Sequence, residues 1–179
     1  MLQDIKEILF SEEVINAKIK ELAGRISDDY KGKDLLVVGV LKGSVIFAAE
    51  LIKNITIPCQ IDFMAVSSYG DSSETTGVVR ILKDLDSEIS GKHIIIVEDI
   101  VDSGITLNYL SNYLKSRNAS SVEIVSLLTK PSRRKVDIDC KYVGFETPDE
   151  FLVGYGLDYA EKYRNLPFVG ILKREVYEK

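Results

Sequence analysis

The chain has 179 residues, of which 45% are hydrophobic and 28% are charged, and its formal net charge is −5. This length and composition are typical of one soluble globular domain with a buried core and room for a small appended lobe. The negative charge argues against broad, non-specific binding of nucleic acid, although a local pocket for an anionic ligand is compatible with it.

Three further features of the sequence bear on location. Cys59 and Cys140 are far apart and match no metal-ligand spacing, so we expect small buried residues and no disulfide framework, as in a reducing cytoplasm. The first ten residues carry acids and lack the basic region of a signal peptide. The longest apolar run, residues 35–41, is too short to cross a bilayer. Together these features predict a cytoplasmic protein.

Apolar periodicity predicts alternating helices and strands along the chain. From Ser11, which can cap a helix, to about Tyr30 the apolar residues recur at helical spacing. Residues 34–41 form an almost continuous apolar run, which is typical of a strand covered on both faces. A helix follows over VIFAAELIKNI, and another is predicted over residues 104–117. Further strands are predicted in CQIDFMAVSSY, VVRILKDL, KHIIIVEDI and VEIVSLLTK, and near residues 140–146 and 167–173.

The order of these elements predicts the fold class and the domain organisation. Strands that alternate with helices indicate an α/β fold with a parallel sheet. We expect a single domain over residues 1–179, with a core over about 34–146. The N-terminal segment and about 147–179 would form a smaller lobe.

The segment IIIVEDIVDSGIT carries most of the chemical information. An apolar run, residues 94–97, leads into three carboxylates and a small-residue turn: Glu98, Asp99 and Asp102, then Ser103, Gly104 and Thr106. In a parallel sheet these groups lie at the carboxyl ends of the strands, where ligands bind. The turn leads into a helix, so its N–H and hydroxyl groups can hold a phosphate. Carboxylates beside a phosphate suit a sugar phosphate, because they accept hydrogen bonds from ribose hydroxyls, and they can also lie near Mg²⁺.

The alternative for this segment is a solvated acidic turn that caps a helix, which a single Glu-Asp pair would favour. Three carboxylates and an S-G-x-T turn directly after a β-branched run favour a functional site instead. The chain contains neither a G-x-x-x-x-G-K-[ST] phosphate loop nor a G-x-G-x-x-G dinucleotide motif.

The sequence VEDIVDSGIT resembles the motif with which type I phosphoribosyltransferases bind phosphoribosyl pyrophosphate (PRPP). The resemblance implies the α/β fold of that family, a parallel-sheet core with a small hood lobe from the chain ends. It implies that Glu98 and Asp99 hold the ribose hydroxyls and lie near Mg²⁺, and that residues 102–106 bind the 5′-phosphate, with Asp102 as the base. Ile105 stands where some members carry lysine, so the phosphate would be held mainly by N–H and hydroxyl groups.

Two other loops match the same family. LKGS at 41–44 contains Lys42 and Gly43, and alone it would be an ordinary turn. The resemblance makes it the pyrophosphate loop, with a cis peptide bond between Leu41 and Lys42. The polar loop at 70–77 would by itself be a surface loop, but the resemblance makes Ser68 and Tyr69 the start of a loop that closes over pyrophosphate.

The last third of the chain resembles the branch of the family that acts on hypoxanthine and guanine. Lys130 alone would be a solvated lysine at a strand end, and FLVGYGLDYAEKYRNLP could simply provide packing and turns. The resemblance implies that Lys130 donates to the 6-oxo group of a purine, that Phe151 stacks on the base and that the Leu152 backbone reads its edge. It also links Asp158 to Mg²⁺ and Arg164 to pyrophosphate.

The function implied by the resemblance is transfer of the phosphoribosyl group from PRPP to hypoxanthine or guanine, giving IMP or GMP and pyrophosphate. The implied partners are PRPP, a 6-oxopurine, Mg²⁺ and further copies of the chain in a dimer or tetramer. One alternative is a related RNA-binding regulator, supported only by the basic run at 133–135, for which we favour a subunit contact or a solvated turn. Another is a sugar-phosphate-binding module without catalysis. The single histidine, His93, is expected to be structural.

Overall fold

In the computed structural model, which describes residues 1–68 and 79–178, the chain forms two sheets and four α-helices. The strands are β1 (Ile5–Phe10), β2 (Leu35–Leu41), β3 (Gln60–Ser68), β4 (Val79–Lys83), β5 (His93–Val101), β6 (Ser121–Thr129), β7 (Tyr142–Glu146), β8 (Leu152–Val153) and β9 (Val169–Leu172). The helices are α1 (Glu12–Asp29), α2 (Val45–Asn54), α3 (Ile105–Ser116) and α4 (Arg174–Tyr177). No helix among the described residues is long and apolar enough to cross a membrane.

The larger sheet has six strands in the order β4-β3-β2-β5-β6-β7. All neighbours are parallel except β3 and β4, which pair antiparallel at one edge. This arrangement confirms the α/β class and the mostly parallel sheet. The register pairs Gly39 of β2 with Val97 of β5, and Val97 with Val125 of β6, so the three strands run in step. They therefore end at one edge of the sheet, which we call the core edge: the ends of β2, β5 and β6 and the residues that follow them.

Both faces of this sheet are buried, because side chains alternate along each strand. Leu35 and Val37 pack with α1 and α2 in one apolar cluster, whereas Leu36 and Val38 pack with α3 in another. Ser11 caps α1 as expected, since its Oγ accepts a hydrogen bond from the N–H of Val14 at 3.3 Å.

The smaller sheet has the antiparallel order β1-β9-β8. We call it, with its connections, the hood: residues 2–10 and 147–178. An apolar cluster of its own holds it together, formed by Val153, Tyr163, Leu166, Phe168 and Leu172. The sequence patterns indicated neither β1 nor α4, since each is short and half-buried at most. The two cysteines are free and half-buried, so the expectation that both are buried was wrong.

Candidate active site

The core edge and the hood enclose a cavity of about 390 Å³. Five residues that the sequence analysis singled out line it: Asp102, Lys130, Phe151, Leu152 and Asp158. Other lining residues were not expected there: Ile100, Arg133, Asp149, Glu150, Leu157, Arg174, Tyr177 and Glu178. The cavity therefore joins groups that are far apart in sequence.

Glu98 and Asp99 follow the buried residues 94–97 on β5, and burial dominates their electrostatics. Loss of water raises the pKa of Glu98 well above its usual range, and the neighbouring Asp99 carboxylate raises it further. Burial also raises the pKa of Asp99 to about 6, although the Ile100 N–H donates to its Oδ1 at 2.8 Å and opposes the shift. Two adjacent, half-buried carboxylates favour a positively charged or proton-donating partner.

The loop after β2, which contains Gly43, packs closely between the Asp99 side chain and the hood. A Cβ atom on Gly43 would lie 1.9 Å from Asp99 Oδ2, and a Cβ atom on Gly156 would lie 2.0 Å from the carbonyl oxygen of Gly43. Gly156 also has a left-handed φ of +99°. Only glycine fits both positions without displacement. The peptide bond between Leu41 and Lys42 is cis, which confirms that expectation.

The side chain of Lys42 points toward the hood. Its Nζ lies 3.1 Å from Glu161 Oε2, and both groups are largely exposed. Exposed ion pairs of this kind contribute little to stability, so the ammonium can exchange this partner for another anion at small cost.

The turn at 102–106 is hydrogen-bonded to the segment that follows β6. Gly104 has a left-handed φ of +81° where α3 begins, and Ser103 Oγ accepts a hydrogen bond from the Ile105 N–H at 3.3 Å. The Ser103 carbonyl accepts from the Lys135 N–H at 3.0 Å. Arg134 Nη2 donates to Thr129 Oγ1 at 2.8 Å. The backbone of Lys135 therefore supports the turn, while its side chain is exposed.

Asp102 faces the cavity between the core edge and the hood. Its Oδ1 is buried and has no hydrogen-bond partner within 1–68 and 79–178, while its Oδ2 lies 3.7 Å from Arg133 Nη1. Arg133 Nε also lies 2.7 Å from Asp149 Oδ1. Arg133 thus bridges two carboxylates at the cavity wall while its side chain stays half exposed. The Asp102 side chain is 46% exposed, so its carboxylate can reach a ligand in the cavity through Oδ2 and accept a proton or a hydrogen bond there.

Lys130 is only 7% exposed, so it is not a solvated lysine at a strand end. Its Nζ donates to the carbonyl oxygen of Glu150 at 2.7 Å and lies 4.0 Å from Asp149 Oδ1. Burial lowers the pKa of the ammonium. The group carries three donors, and the contact with Glu150 uses one of them.

The hood presents an aromatic ring and an ion pair to the site. The Phe151 ring lies 4.9 Å from that of Tyr177 and 5.4 Å from that of Tyr159, measured between centroids. Arg164 Nη2 lies 2.9 Å from Asp158 Oδ1, and Arg164 Nη1 donates to the Gly156 carbonyl at 2.7 Å. These contacts tie the Arg164 guanidinium to the turn that rests on Gly43.

Most of the predicted residues fall into two groups. Asp99, next to Glu98 in sequence, contacts Gly43, and Arg164 binds the hood turn that rests on Gly43. In the cavity lie Asp102, Lys130, Phe151, Leu152 and Asp158, the last paired with Arg164. Ser68 ends β3, but its side chain, Tyr69 and the predicted loop at 70–77 lie outside the described residues.

The unexpected lining residues had weak signals in the sequence. Asp149 and Glu150 directly precede Phe151, so their position next to the site could have been inferred from their neighbour. Arg174 and Tyr177 follow the last predicted strand, and no local pattern places them near Lys130. Only the tertiary fold brings α4 to the cavity.

No cluster of three or more metal-ligating side chains is present in the described parts of the chain. His93 has a structural contact, since its Nδ1 lies 2.8 Å from Ser121 Oγ.

Comparison with known proteins identifies similar chains along almost the whole length. Residues 7–160 match the family model of the phosphoribosyl transferase domain. The hypoxanthine-guanine phosphoribosyltransferase of Bacillus subtilis (strain 168) is 53% identical over 178 residues, covering 99% of each chain. A crystal structure of a hypoxanthine phosphoribosyltransferase from Staphylococcus aureus superposes with a TM-score of 0.98 at 54% identity, covering 100% of this chain and 97% of the other. A Bacillus anthracis hypoxanthine-guanine phosphoribosyltransferase structure gives 0.91 at 51% identity, covering 94% and 99%.

Proposed function

The chain belongs to the phosphoribosyl transferase family, and on this premise we propose that it is a purine salvage enzyme of the hypoxanthine-guanine type. It transfers the phosphoribosyl group of PRPP to hypoxanthine or guanine, giving IMP or GMP and pyrophosphate. The observation that carries this proposal is the cavity in which Asp102, Lys130 and Phe151 meet beside the turn at 102–106. A base, a donor and an aromatic ring at a phosphate-binding turn suit a purine nucleotide.

The base is recognised from three directions. Lys130 is buried and can donate to the 6-oxo group of a purine, because an ammonium is a donor only. Phe151 offers a ring for stacking, and Leu152 is buried on β8, where its backbone can read the edge of the base. Adenine presents an amino donor at the position of the 6-oxo group, so it leaves the ammonium without an acceptor.

The ribose phosphate is held by the core edge. Backbone N–H groups and hydroxyls of residues 102–106 bind the 5′-phosphate at the start of α3, with Ser103 and Thr106 supplying the hydroxyls. Glu98 and Asp99 accept hydrogen bonds from the ribose hydroxyls. Lys42, Gly43 and Arg164, with Ser68 and Tyr69, bind the pyrophosphate.

The reaction replaces pyrophosphate at the ribose C1 atom by a ring nitrogen of the purine. Positive charge develops on the ribose as pyrophosphate leaves, so the protein acts by positioning and by electrostatic stabilisation. Asp102 accepts the proton of the attacking purine through Oδ2, the carboxylate oxygen that remains accessible. No covalent enzyme intermediate is required.

Mg²⁺ is part of the proposal, and the donor set around Gly43 fits it in character. Glu98 and Asp99 are oxygen donors whose burial is not balanced by a cation in direct contact among the described residues. Asp158 is paired with Arg164 and would have to share its carboxylate. Together with substrate oxygens, these carboxylates would hold an ion that neutralises pyrophosphate as it leaves.

The two alternatives find less support. The basic run at 133–135 is not a free cationic patch, since Arg133 contacts Asp102 and Asp149, and Arg134 binds Thr129. The relatives named above carry the names of enzymes, so the RNA-binding regulator is unsupported. A binding module without catalysis would have no use for a carboxylate at the wall of the base cavity, which Asp102 provides.

Three further points belong to the proposal. The core and the hood act as one domain, since the cavity takes residues from both. The two free cysteines suit the cytoplasm. We expect a dimer or tetramer, which analytical ultracentrifugation would measure.

The test is release of pyrophosphate from PRPP and Mg²⁺ in the presence of hypoxanthine, guanine or adenine. We expect rapid release with the two 6-oxopurines and little or none with adenine. Release that needs no purine, or equal rates with adenine, would contradict the proposed function.

A further inference from the structure

The short helix α4 brings an additional aromatic side chain to the cavity. The Tyr177 ring stacks on the Phe151 ring at 4.9 Å with an interplanar angle of 29°. The Tyr159 ring meets Phe151 at 5.4 Å and 88°, in an edge-on arrangement. Tyr177 and Val176 both pack against the apolar cluster of the hood. Phe151 is therefore held by two rings, one of which lies on α4.

The main chain and the side chain of Phe151 are fixed by different contacts. Its carbonyl accepts a hydrogen bond from the Leu172 N–H at 2.8 Å, and the next residue, Leu152, pairs with Ile171 across the hood sheet. These bonds fix the backbone, but they leave the two side-chain torsions of Phe151 free. Only neighbouring side chains can determine how the ring faces the cavity.

We propose that Tyr177 is a positioning residue for the purine: it covers one face of Phe151 and so presents the other face to the base. This inference depends on the proposed function, because it assumes that Phe151 stacks on a purine. A ring that is already oriented loses less freedom when the base binds, so part of the binding cost is met before the substrate arrives. Stacked aromatic pairs contribute an amount equivalent to about 2- to 12-fold in a binding constant.

The position of Tyr177 at the cavity wall leaves one competing role, direct contact with the base. The two roles differ in whether Tyr177 acts through Phe151. If it acts only through Phe151, removal of the Phe151 ring abolishes the contribution of Tyr177. A direct contact would persist without Phe151, so a double-mutant cycle separates the two roles.

The experiment compares steady-state kinetics of the full chain and of five variants. We expect Tyr177→Ala to raise KM for hypoxanthine about 2- to 12-fold and to leave kcat and KM for PRPP unchanged. Tyr177→Phe keeps the ring and should restore the wild-type KM. In a Phe151→Ala background, Tyr177→Ala should have no further effect. Tyr109→Ala is the matched control, because Tyr109 belongs to a stacked pair on α3 outside the cavity.

Three outcomes would overturn the inference. KM for hypoxanthine could be unchanged in Tyr177→Ala, it could rise equally when Tyr177→Ala is added to Phe151→Ala, or Tyr177→Ala could lower kcat without changing KM. Selective ¹³C labelling of phenylalanine rings provides a readout that needs no activity. The signal of Phe151 is identified because it is missing from Phe151→Ala. It should indicate a single ring orientation in the wild type and averaging over several orientations in Tyr177→Ala. If the wild type lacks transferase activity but this difference persists, the proposed function fails while the positioning of Phe151 by Tyr177 stands. An unchanged ring signal would refute the positioning itself.

Discussion

The core edge and the hood both contribute groups to the site, but they position them by different means. Glu98 and Asp99 continue a strand whose preceding residues are fully buried and paired with strands on both sides. The hood offers Phe151 from the position just before β8, a strand of two residues, and left-handed turns connect β8 to Asp158 and beyond. It meets the core through Gly156, which rests on Gly43.

The two regions therefore fix the positions of their side chains in different ways. A group on a central parallel strand is fixed by the hydrogen bonds and packing of a large sheet. A group in the hood is fixed by a few close contacts, each of which one added methyl group can displace. We therefore expect the groups that handle the proton and the ribose to lie on the core edge, and the groups that select and cover the base to depend on the hood as well.

The largest effect is expected for Asp102 at the core edge. Asp102→Asn keeps the shape but removes the proton acceptor, so turnover should fall by on the order of 10²–10⁴-fold. Binding of PRPP should be retained. Single-turnover kinetics and equilibrium binding of PRPP measure the two quantities. Asp137→Asn, a change at an exposed aspartate beyond the supporting segment, is the control. A kcat close to that of the wild type would refute the role of Asp102 as the base.

Lys130 comes next, because it lies on the core edge but binds a hood carbonyl. Lys130→Met keeps most of the buried volume and removes the charged donor, so kcat/KM for hypoxanthine should fall about 10- to 150-fold. The affinity for PRPP should change far less. The ratio of kcat/KM for hypoxanthine and adenine should approach one. Lys135→Met, at an exposed lysine, should leave this ratio unchanged. If the variant still discriminates fully, another group selects the base.

Gly156 tests how the hood is attached. In Gly156→Ala the new Cβ would meet the carbonyl of Gly43 at 2.0 Å, in a left-handed conformation that alanine disfavours. We expect the free energy of unfolding to fall by roughly 1–3 kcal/mol. Gly24→Ala is the matched control, because Gly24 is exposed within α1 and a Cβ there meets nothing within 4 Å. That variant should gain about 0.5–1 kcal/mol. Urea unfolding measures the free energy of unfolding of both variants. If the two variants change it equally, the contact between Gly156 and Gly43 is not tight.

The smallest effect concerns the pH dependence of stability without ligands. Burial raises the pKa of Asp99 to about 6, so between about pH 4 and pH 6 the folded state binds more protons than the unfolded state. The contribution of Asp99 to the free energy of unfolding therefore falls as the pH rises through this window. Asp99→Asn removes that contribution, and the wild type should lose more stability than the variant between about pH 4 and pH 6. The pKa of Glu98 is raised as well, so the stability of the variant should still depend in part on pH in the same direction. Parallel stability curves would contradict the raised pKa.

The sequence predicted the core edge better than the hood, and the reason is physical. Residues 94–97 form a β-branched apolar run that favours a buried strand, so the acids after it were expected at the sheet edge. The α/β class and the ends of α1 followed from periodicity in the same way, and the roles of Lys42 and Phe151 came from the resemblance to a family. β1 escaped prediction because IKEILF does not alternate, and α4 because a helix of one turn has no period. The bridging position of Arg133 depends on a contact with Asp149 that no local pattern encodes.

The pairing of β1 with β9 has a consequence for the time course of biosynthesis. Ile5 pairs with Leu172, so the first strand to leave the ribosome must wait for nearly the last before it has a neighbour. At ordinary translation rates this wait is on the order of ten seconds. Every strand of the six-stranded sheet is translated in the meantime. During that interval Lys6 and Glu7 place charges on the waiting strand, which discourages pairing with other nascent chains. A newly made molecule would thus have its ribose phosphate site before its purine site.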